Sequence, residues 1–261
     1  MNTRSVRKKL NDFVHYSVTE DLDFCVITES WIKDDDLFEI NSLQPPGYDF
    51  KNVQRQGRGG GGIGIFHKSN ITSAIMKSGE LSSFEFIHID VRISLIVIYR
   101  PPYSEQHPIT LSVFFDEFSD FVADVLLTTN RCILLGDFNI HVNDANDADA
   151  SSFLELLESF ALIQLVTPPT HISGNTLDLI VVRENSDLVV SNIVTDHYIS
   201  DHCYVIANIS TSRPILERKE INFRRIKAIN QLAFRSDISE VLDSIKWEKI
   251  SLKLSLSTMT K

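Results

Sequence analysis

Apolar positions along this chain follow two periods. Val6, Leu10, Phe13 and Val14 recur at helical spacing within residues 6–18, as do Leu111, Phe114, Phe115, Phe118, Val122 and Val125 within 109–127. Each set gathers its apolar side chains on one face of an amphipathic helix. A third helix is expected over 151–161, and DDDLFEINS (34–42) reads as a short helical turn. The remaining apolar segments are short and rich in β-branched residues: DFCVITES (23–30), IGIFHK (63–68), ITSAIMK (71–77), FEFIHIDV (84–91), SLIVIYR (94–100), RCILLGDFN (131–139), TLDLIVV (176–182), VSNIVTD (190–196) and HCYVIANI (202–209). These read as strands. PPGYDF (45–50) is a turn leading into an extended segment, and GRGGGG (57–62) a glycine-rich loop. About nine strands and three helices alternate irregularly, which predicts an α/β fold with mixed sheets rather than a regular barrel.

Beyond about residue 209 the pattern dissolves. SRPILERKEINFRRIKAINQLAFRSDI (212–238) is charged and weakly helical, so we divide the chain into a domain over 1–209 and a connector, or the start of a following region, over 210–261.

Composition narrows the class. With 43% hydrophobic and 23% charged residues, the chain has the balance of a globular protein. Nothing approaches the ~18 consecutive apolar residues of a membrane span, so no membrane partner is expected. The basic start MNTRSVRKKLND lacks the apolar core of a secretory signal. Cys25, Cys132 and Cys203 lie far apart within apolar runs, which argues for buried free thiols in a reducing compartment and against a disulfide framework or zinc site. The net charge of −10 disfavours non-specific binding to nucleic acid. Basic residues do cluster locally, at Arg55 and Arg58 and from Arg213 to Lys227. Arg55 and Arg58 are candidates either for contacts to backbone phosphates or for a solvated surface.

Four apolar strands end in acid or acid-plus-polar groups: Glu29 after CVIT, Asp137 and Asn139 after ILLG, Asp178 within TLDLI, and Asp201-His202 before CYVIA. Strand ends in α/β sheets meet at a rim, so these distant residues can converge. An acid after a strand is usually a turn residue, and a single histidine is usually structural. Asp178, inside an apolar strand, requires a cation or donor because an unpartnered buried acid is costly. Carboxylates, amides and a histidine together suit a hard cation such as magnesium. GRGGGG lacks the Lys-Ser/Thr of a phosphate-binding P-loop and reads as a tight turn or mobile loop.

The order of these segments resembles the endonuclease/exonuclease/phosphatase superfamily, and most closely the apurinic-type endonuclease domain of non-LTR (LINE-type) retrotransposons. The resemblance rests on NTRSVRKKL (2–10), ITESWI (27–32), GRGGGGIGIF (57–66), VIYRPP (97–102), LLGDFNIH (134–141), TLDLIVV (176–182) and SDH (200–202). The tail NFRRIKAINQLAFRSDI also resembles the connector preceding reverse transcriptase in such elements.

The resemblance implies a four-layer sandwich of two packed mixed β-sheets flanked by helices. It also implies an intracellular, nuclear enzyme that nicks DNA with Mg2+, or Mn2+ as a substitute, and leaves a 3′ hydroxyl for reverse transcription. Glu29 would be the principal metal ligand, with Asn2 helping to hold the ion and Asp201 close to it. Asp137 and Asn139 would position and deprotonate the attacking water. His202 would contact the scissile phosphate, Asp178 would orient that histidine, and Tyr99 would contact the phosphate. No protein partner is inferable. Only Met1 precedes Asn2 where the family has a core strand. The expectation is therefore a truncated first strand, an open sheet edge and weakened or absent activity. A superfamily phosphatase, an abasic-site repair nuclease and a non-catalytic binding module are the alternatives.

Overall fold

The computed structural model describes residues 1–56, 59–129, 131–211 and 230–245. Two compact units divide at Arg213/Pro214. Within the first, the described strands are β1 (Phe24–Thr28), β2 (Tyr48–Val53), β3 (Ile63–Lys68), β4 (Ala74–Glu80), β5 (Glu85–Asp90), β6 (Ser94–Tyr99), β7 (Cys132–Asp137), β8 (Leu162–Gln164), β9 (Asp178–Arg183), β10 (Leu188–Tyr198) and β11 (Cys203–Thr211). Four helices accompany them: α1 (Leu10–Thr19), entered through a 3-10 turn at Arg7–Lys9, α2 (Leu37–Ser42), α3 (Leu111–Thr128) and α4 (Ala148–Ser159). In the second unit only residues 230–245 are described. They form α5 (Gln231–Ser244), whose first turn is capped by the Asn230 side chain accepting the Leu232 and Ala233 N–H groups. The rest of the expected connector, residues 212–229 and 246–261, lies outside the described residues.

Strand parity explains the layers. Successive side chains of a strand point to opposite faces. On β6, Ile96 and Ile98 pack with Phe114, Phe118 and Phe153 from α3 and α4. Val97 and Tyr99, one step along, face Val26 of β1 and Ile63 and Ile65 of β3. On the far side of those strands, Ile27 and Phe66 pack against Phe13 of α1. The order is helices, six-stranded sheet, smaller sheet, helix, which is the expected four-layer α/β arrangement. It also explains why β1, β3 and β6 read as continuous apolar runs, since each is covered on both faces.

The large sheet runs β4-β5-β6-β7-β9-β8, with β6 and β7 parallel and the other pairs antiparallel. Where the sequence implied one further sheet, the described strands form two, β1-β3-β2 and the ribbon β10-β11. Residues Met1–Thr3 run beside β1, with Thr28 donating to the Met1 carbonyl and Thr3 to the Thr28 carbonyl, each at 3.0 Å. A single parallel bridge, Asn2 with Thr28, results. The Ser200 hydroxyl donates to the Asn2 carbonyl at 2.7 Å from the opposite side. One bridge is too short to zip the two pieces into a continuous sheet.

Candidate functional site

The centre of the large sheet fixes the first three groups. Tyr99 ends β6 and Asp137 ends the parallel neighbour β7, and the two are register partners. Asp178 opens the antiparallel β9 and is the register partner of Asp137 on the other side. All three share the parity that faces the smaller sheet, and all are buried. Gly136 makes the close packing possible. Its φ is +138°, and a Cβ there would lie 1.9 Å from the Ile98 carbonyl oxygen.

Around Asp137 the amide donors converge. Its Oδ1 accepts the Asn139 backbone N–H at 3.0 Å, and its Oδ2 accepts the Asn2 and Asn139 side-chain amides at 2.8 and 3.2 Å. A carboxylate offers about four acceptor positions, so about one remains for a water. Asn139 holds a left-handed backbone (φ +50°). It is locked there by Arg100, whose guanidinium donates to the carbonyls of Phe138 and Asn139 at 2.7 and 2.8 Å, while the Asn139 amide donates back to the Arg100 carbonyl at 2.8 Å.

His202 lies next to this cluster, 4% exposed, with Nδ1 at 2.7 Å from Asp178 Oδ2. Its backbone N–H donates to Ser200 Oγ at 3.0 Å, which orients the turn. The Thr170 hydroxyl accepts the N–H groups of Leu177 and Asp178 and fixes the start of β9. Burial alone would lower the His202 pKa. The Asp178 hydrogen bond and the charges of Asp178, Asp137 and Asp201 outweigh it and hold the imidazole at about 9. The two carboxylates move apart. Burial, then the charge of Asp178, raise the Asp137 pKa. For Asp178 burial acts in the same upward sense, but the Met1 ammonium 3.7 Å away and the His202 contact override it and keep Asp178 ionised.

The remaining predicted residues border this trio. Glu29 follows β1 at φ +53° and accepts the Tyr99 hydroxyl. Burial, then the Glu29 charge, drive the Tyr99 pKa far upward, so the phenol stays protonated. Asn2 Oδ1 accepts the Arg4 backbone N–H at 2.9 Å. Asp201 Oδ2 receives the Arg4 guanidinium at 2.5 Å and lies 3.3 Å from His171 Nε2. Glu29, Asn2, Tyr99, Asp137, Asn139, Asp178, Asp201 and His202 are thus brought into one contiguous network.

Among the described residues, two groups could hold a cation by proximity: Asp137, Asp178 and His202, or His171, Asp201 and His202. In the first, a proton already bridges His202 and Asp178, and both Asp137 oxygens face N–H donors, so that trio suits proton handling better than a hard ion. Glu29, Asn2 and Asp201 offer oxygen donors, and the buried Asp201 Oδ1 has no hydrogen-bond partner among the described residues. Oxygen donors with an unsatisfied carboxylate fit a hard divalent cation.

Sequence reasoning missed Arg4, Arg100, Thr170, His171 and Ser200. Arg100 stood inside the noted VIYRPP segment, but nothing in the pattern told that it clamps residues 138 and 139. Arg55 corrects the expectation of a phosphate contact or solvated side chain. It is buried as an ion pair with Glu85, its guanidinium 5.5 Å over the Tyr99 ring. Glu85 also accepts the Gly62 N–H at 2.8 Å. The glycine-rich loop folds over Arg55, since a Cβ on Gly61 would meet that guanidinium at 2.2 Å. Arg58 lies outside the described residues.

The sequence matches the Endonuclease/Exonuclease/phosphatase family over residues 2–202. Among curated proteins no match is found. Solved structures share the fold. The endonuclease domain of TRAS1, a telomere-specific non-LTR retrotransposon, superposes with a TM-score of 0.59 at 15% identity, covering 80% of this chain and 95% of that one. An AP endonuclease from Archaeoglobus fulgidus gives 0.61 at 13% identity, covering 80% and 97%. The 3′ phosphatase NExo from Neisseria, bound to product DNA hairpin, gives 0.58 at 17%, also covering 80% and 97%.

Proposed function

The chain belongs to the endonuclease/exonuclease/phosphatase family, and from that premise we propose that it is a magnesium-dependent phosphodiesterase that nicks one DNA strand as the endonuclease of a non-LTR retrotransposon. The products would be a 3′ hydroxyl, able to prime reverse transcription, and a 5′ phosphate. One observation carries the reading: the buried Asp137–Asp178–His202 trio, in which one carboxylate has gained basicity and the imidazole is held as a cation.

In this reading Asp137 takes the proton of a water held against its free acceptor position by Asn139. Its raised basicity makes it a better base at neutral pH than an ordinary carboxylate. His202 donates from Nε2 to a non-bridging phosphate oxygen, and its charge stabilises the negative charge that builds in the transition state. Asp178 fixes the tautomer and keeps the ring protonated. The Tyr99 hydroxyl, released from Glu29, donates to the phosphate. Glu29, Asn2 and Asp201 would hold the metal, which supplies charge neutralisation at the phosphate and leaving oxygen. The VIYRPP segment, the connector-like tail and the likeness to the TRAS1 domain support a retrotransposon origin.

Supercoiled-plasmid nicking tests the proposal. The full chain with magnesium should convert plasmid to the open circle, and Asp137→Ala and His202→Ala should each lose at least about 10³-fold. Equal cleavage by all three proteins refutes the assignment. An oligonucleotide with one abasic site serves as a second substrate. Strong preference for it over intact plasmid would move the reading to a repair nuclease.

A further inference from the structure

Two residues beyond Glu29, Trp31 carries its indole on a backbone at φ +55°, a region that bulky side chains rarely enter. Paired contacts hold it there. Ser30 and Trp31 N–H groups donate to the Gly62 and Gly61 carbonyls at 3.1 and 3.0 Å. Arg7 Nε donates to the Trp31 carbonyl at 3.3 Å, and Ser30 Oγ donates to Asn52 Oδ1 at 2.9 Å. The next residue, Ile32, is buried, yet Trp31 remains 45% exposed. An aromatic ring that stays half in water on a strained backbone contributes little to folding; the arrangement presents it outward.

Beside the indole opens a cavity of about 210 Å³, lined by Trp31, Arg7, Lys33, Gln54, Arg55 and Gly60. Arg7 is paired with Asp36 and Glu39 and Arg55 with Glu85, while Lys33 brings an exposed side chain to the rim. At Gly60 the loop runs close against the indole, since a Cβ there would sit 3.5 Å from Nε1. Two residues span at most about 7 Å, and successive phosphates of one strand lie about 3.4 Å apart along a duplex. The indole therefore falls within a few nucleotides of any phosphate held at Glu29.

We propose that Trp31 is a stacking platform for a nucleobase flanking the scissile phosphate, with the adjoining cavity receiving the edge of that base. This rests on the phosphodiesterase reading above. Stacking on an indole tolerates every base because each has a π-face, so the platform strengthens substrate binding without selecting a sequence.

The test uses the full chain carrying Trp247→Phe, which leaves Trp31 as the sole tryptophan, since the sequence has two. Its fluorescence is followed in EDTA while a short DNA duplex is titrated, with binding scored independently by anisotropy of the labelled duplex. Saturable quenching that tracks anisotropy is expected. In nicking assays Trp31→Ala should raise KM about tenfold with kcat within about twofold, and Trp31→Phe should restore most of the loss. Duplex binding without quenching, or an unchanged KM in Trp31→Ala, overturns the platform while leaving the phosphodiesterase reading intact. Quenching that tracks anisotropy in the Trp247→Phe chain, with no nicking by wild type, supports base stacking at Trp31 and removes the phosphodiesterase reading. Failure both to bind and to nick removes both.

Discussion

Asp137 and Asp178 face each other across β7 and β9 as register partners, two buried carboxylates beside one imidazole. Like charges this close cannot share burial equally. The proton and the cationic contacts go to the Asp178 side, through His202 Nδ1 at 2.7 Å, and Asp137 is left as the carboxylate with raised basicity. The division of labour between base and imidazolium follows from which acid the histidine touches.

Asp178→Asn tests that division. With the His202 pKa at about 9, the ring is charged through neutrality, and activity should hold up to that range before falling. Losing the anion returns the ring toward the ordinary value of about 6.5. Protonation alone then costs about 30-fold in kcat at pH 8 and little at pH 6. Stability should follow the same group. Its folded pKa is raised, so its contribution is complete below about pH 6.5 and lost as pH climbs through 9. In metal-free buffer the wild-type Tm should decline over that window more than that of Asp178→Asn, as read by circular dichroism.

Gly136→Ala should damage the fold itself. The added methyl meets the Ile98 carbonyl at 1.9 Å one pair from the site end of the β6–β7 pairing, and the backbone cannot yield without parting the strands. A loss of at least about 3 kcal/mol is expected, or roughly 6–12 °C in Tm. Gly59→Ala, where no described residue lies within 4 Å of the new atom, is the matched control and should melt within about 2 °C of wild type.

Arg100→Lys keeps the charge but not the fork. Lysine cannot reach both the Phe138 and Asn139 carbonyls with the same geometry. The expected cost is about 1–3 kcal/mol in stability. The kinetic signature is a kcat loss of about tenfold or more with KM little changed, since the displaced group is Asn139 rather than a substrate contact.

Arg4→Ala separates fold from ion binding. The guanidinium is 62% exposed on its pair with Asp201, so removing it should shift stability by less than about 1 kcal/mol. It is also a cation standing on a proposed metal ligand. Without it, manganese should bind about three- to tenfold more tightly, as measured by titration calorimetry or electron paramagnetic resonance. Unchanged or weaker affinity would place the ion away from Asp201.

The elements that could be read from sequence were those whose apolar runs end abruptly in polar atoms. β1 and β7 carry largely buried apolar runs into an acid, β9 starts from one at Asp178, and α3 carries its phenylalanines at helical spacing. β8, three residues long, is too short to show a period. The start of α4 fell three residues early because the Asp147 side chain caps the Asp149 and Ala150 N–H groups, a signal hidden in a run of acids. Where the smaller sheet divides, a single bridge at Asn2 is what stands beside β1, in keeping with the open sheet edge expected there. The groups that converge on the site were named because each closes a strand or a recognisable segment. Arg4, Thr170, His171 and Ser200 sit in loops without periodicity, and only the folded geometry shows that they brace Asp201, His202 and the start of β9.

The parallel pairing of β6 with β7, and the antiparallel return of β9 beside it, also set the order of events as the chain collapses. Tyr99, Asp137, Asp178 and His202 are scattered over more than a hundred residues, and they meet only once the middle of the large sheet has zipped in its final register. Local helices can form long before that closure. During refolding, recovery of DNA cleavage should therefore trail the return of far-ultraviolet ellipticity, and a partly assembled molecule should have structure but no turnover.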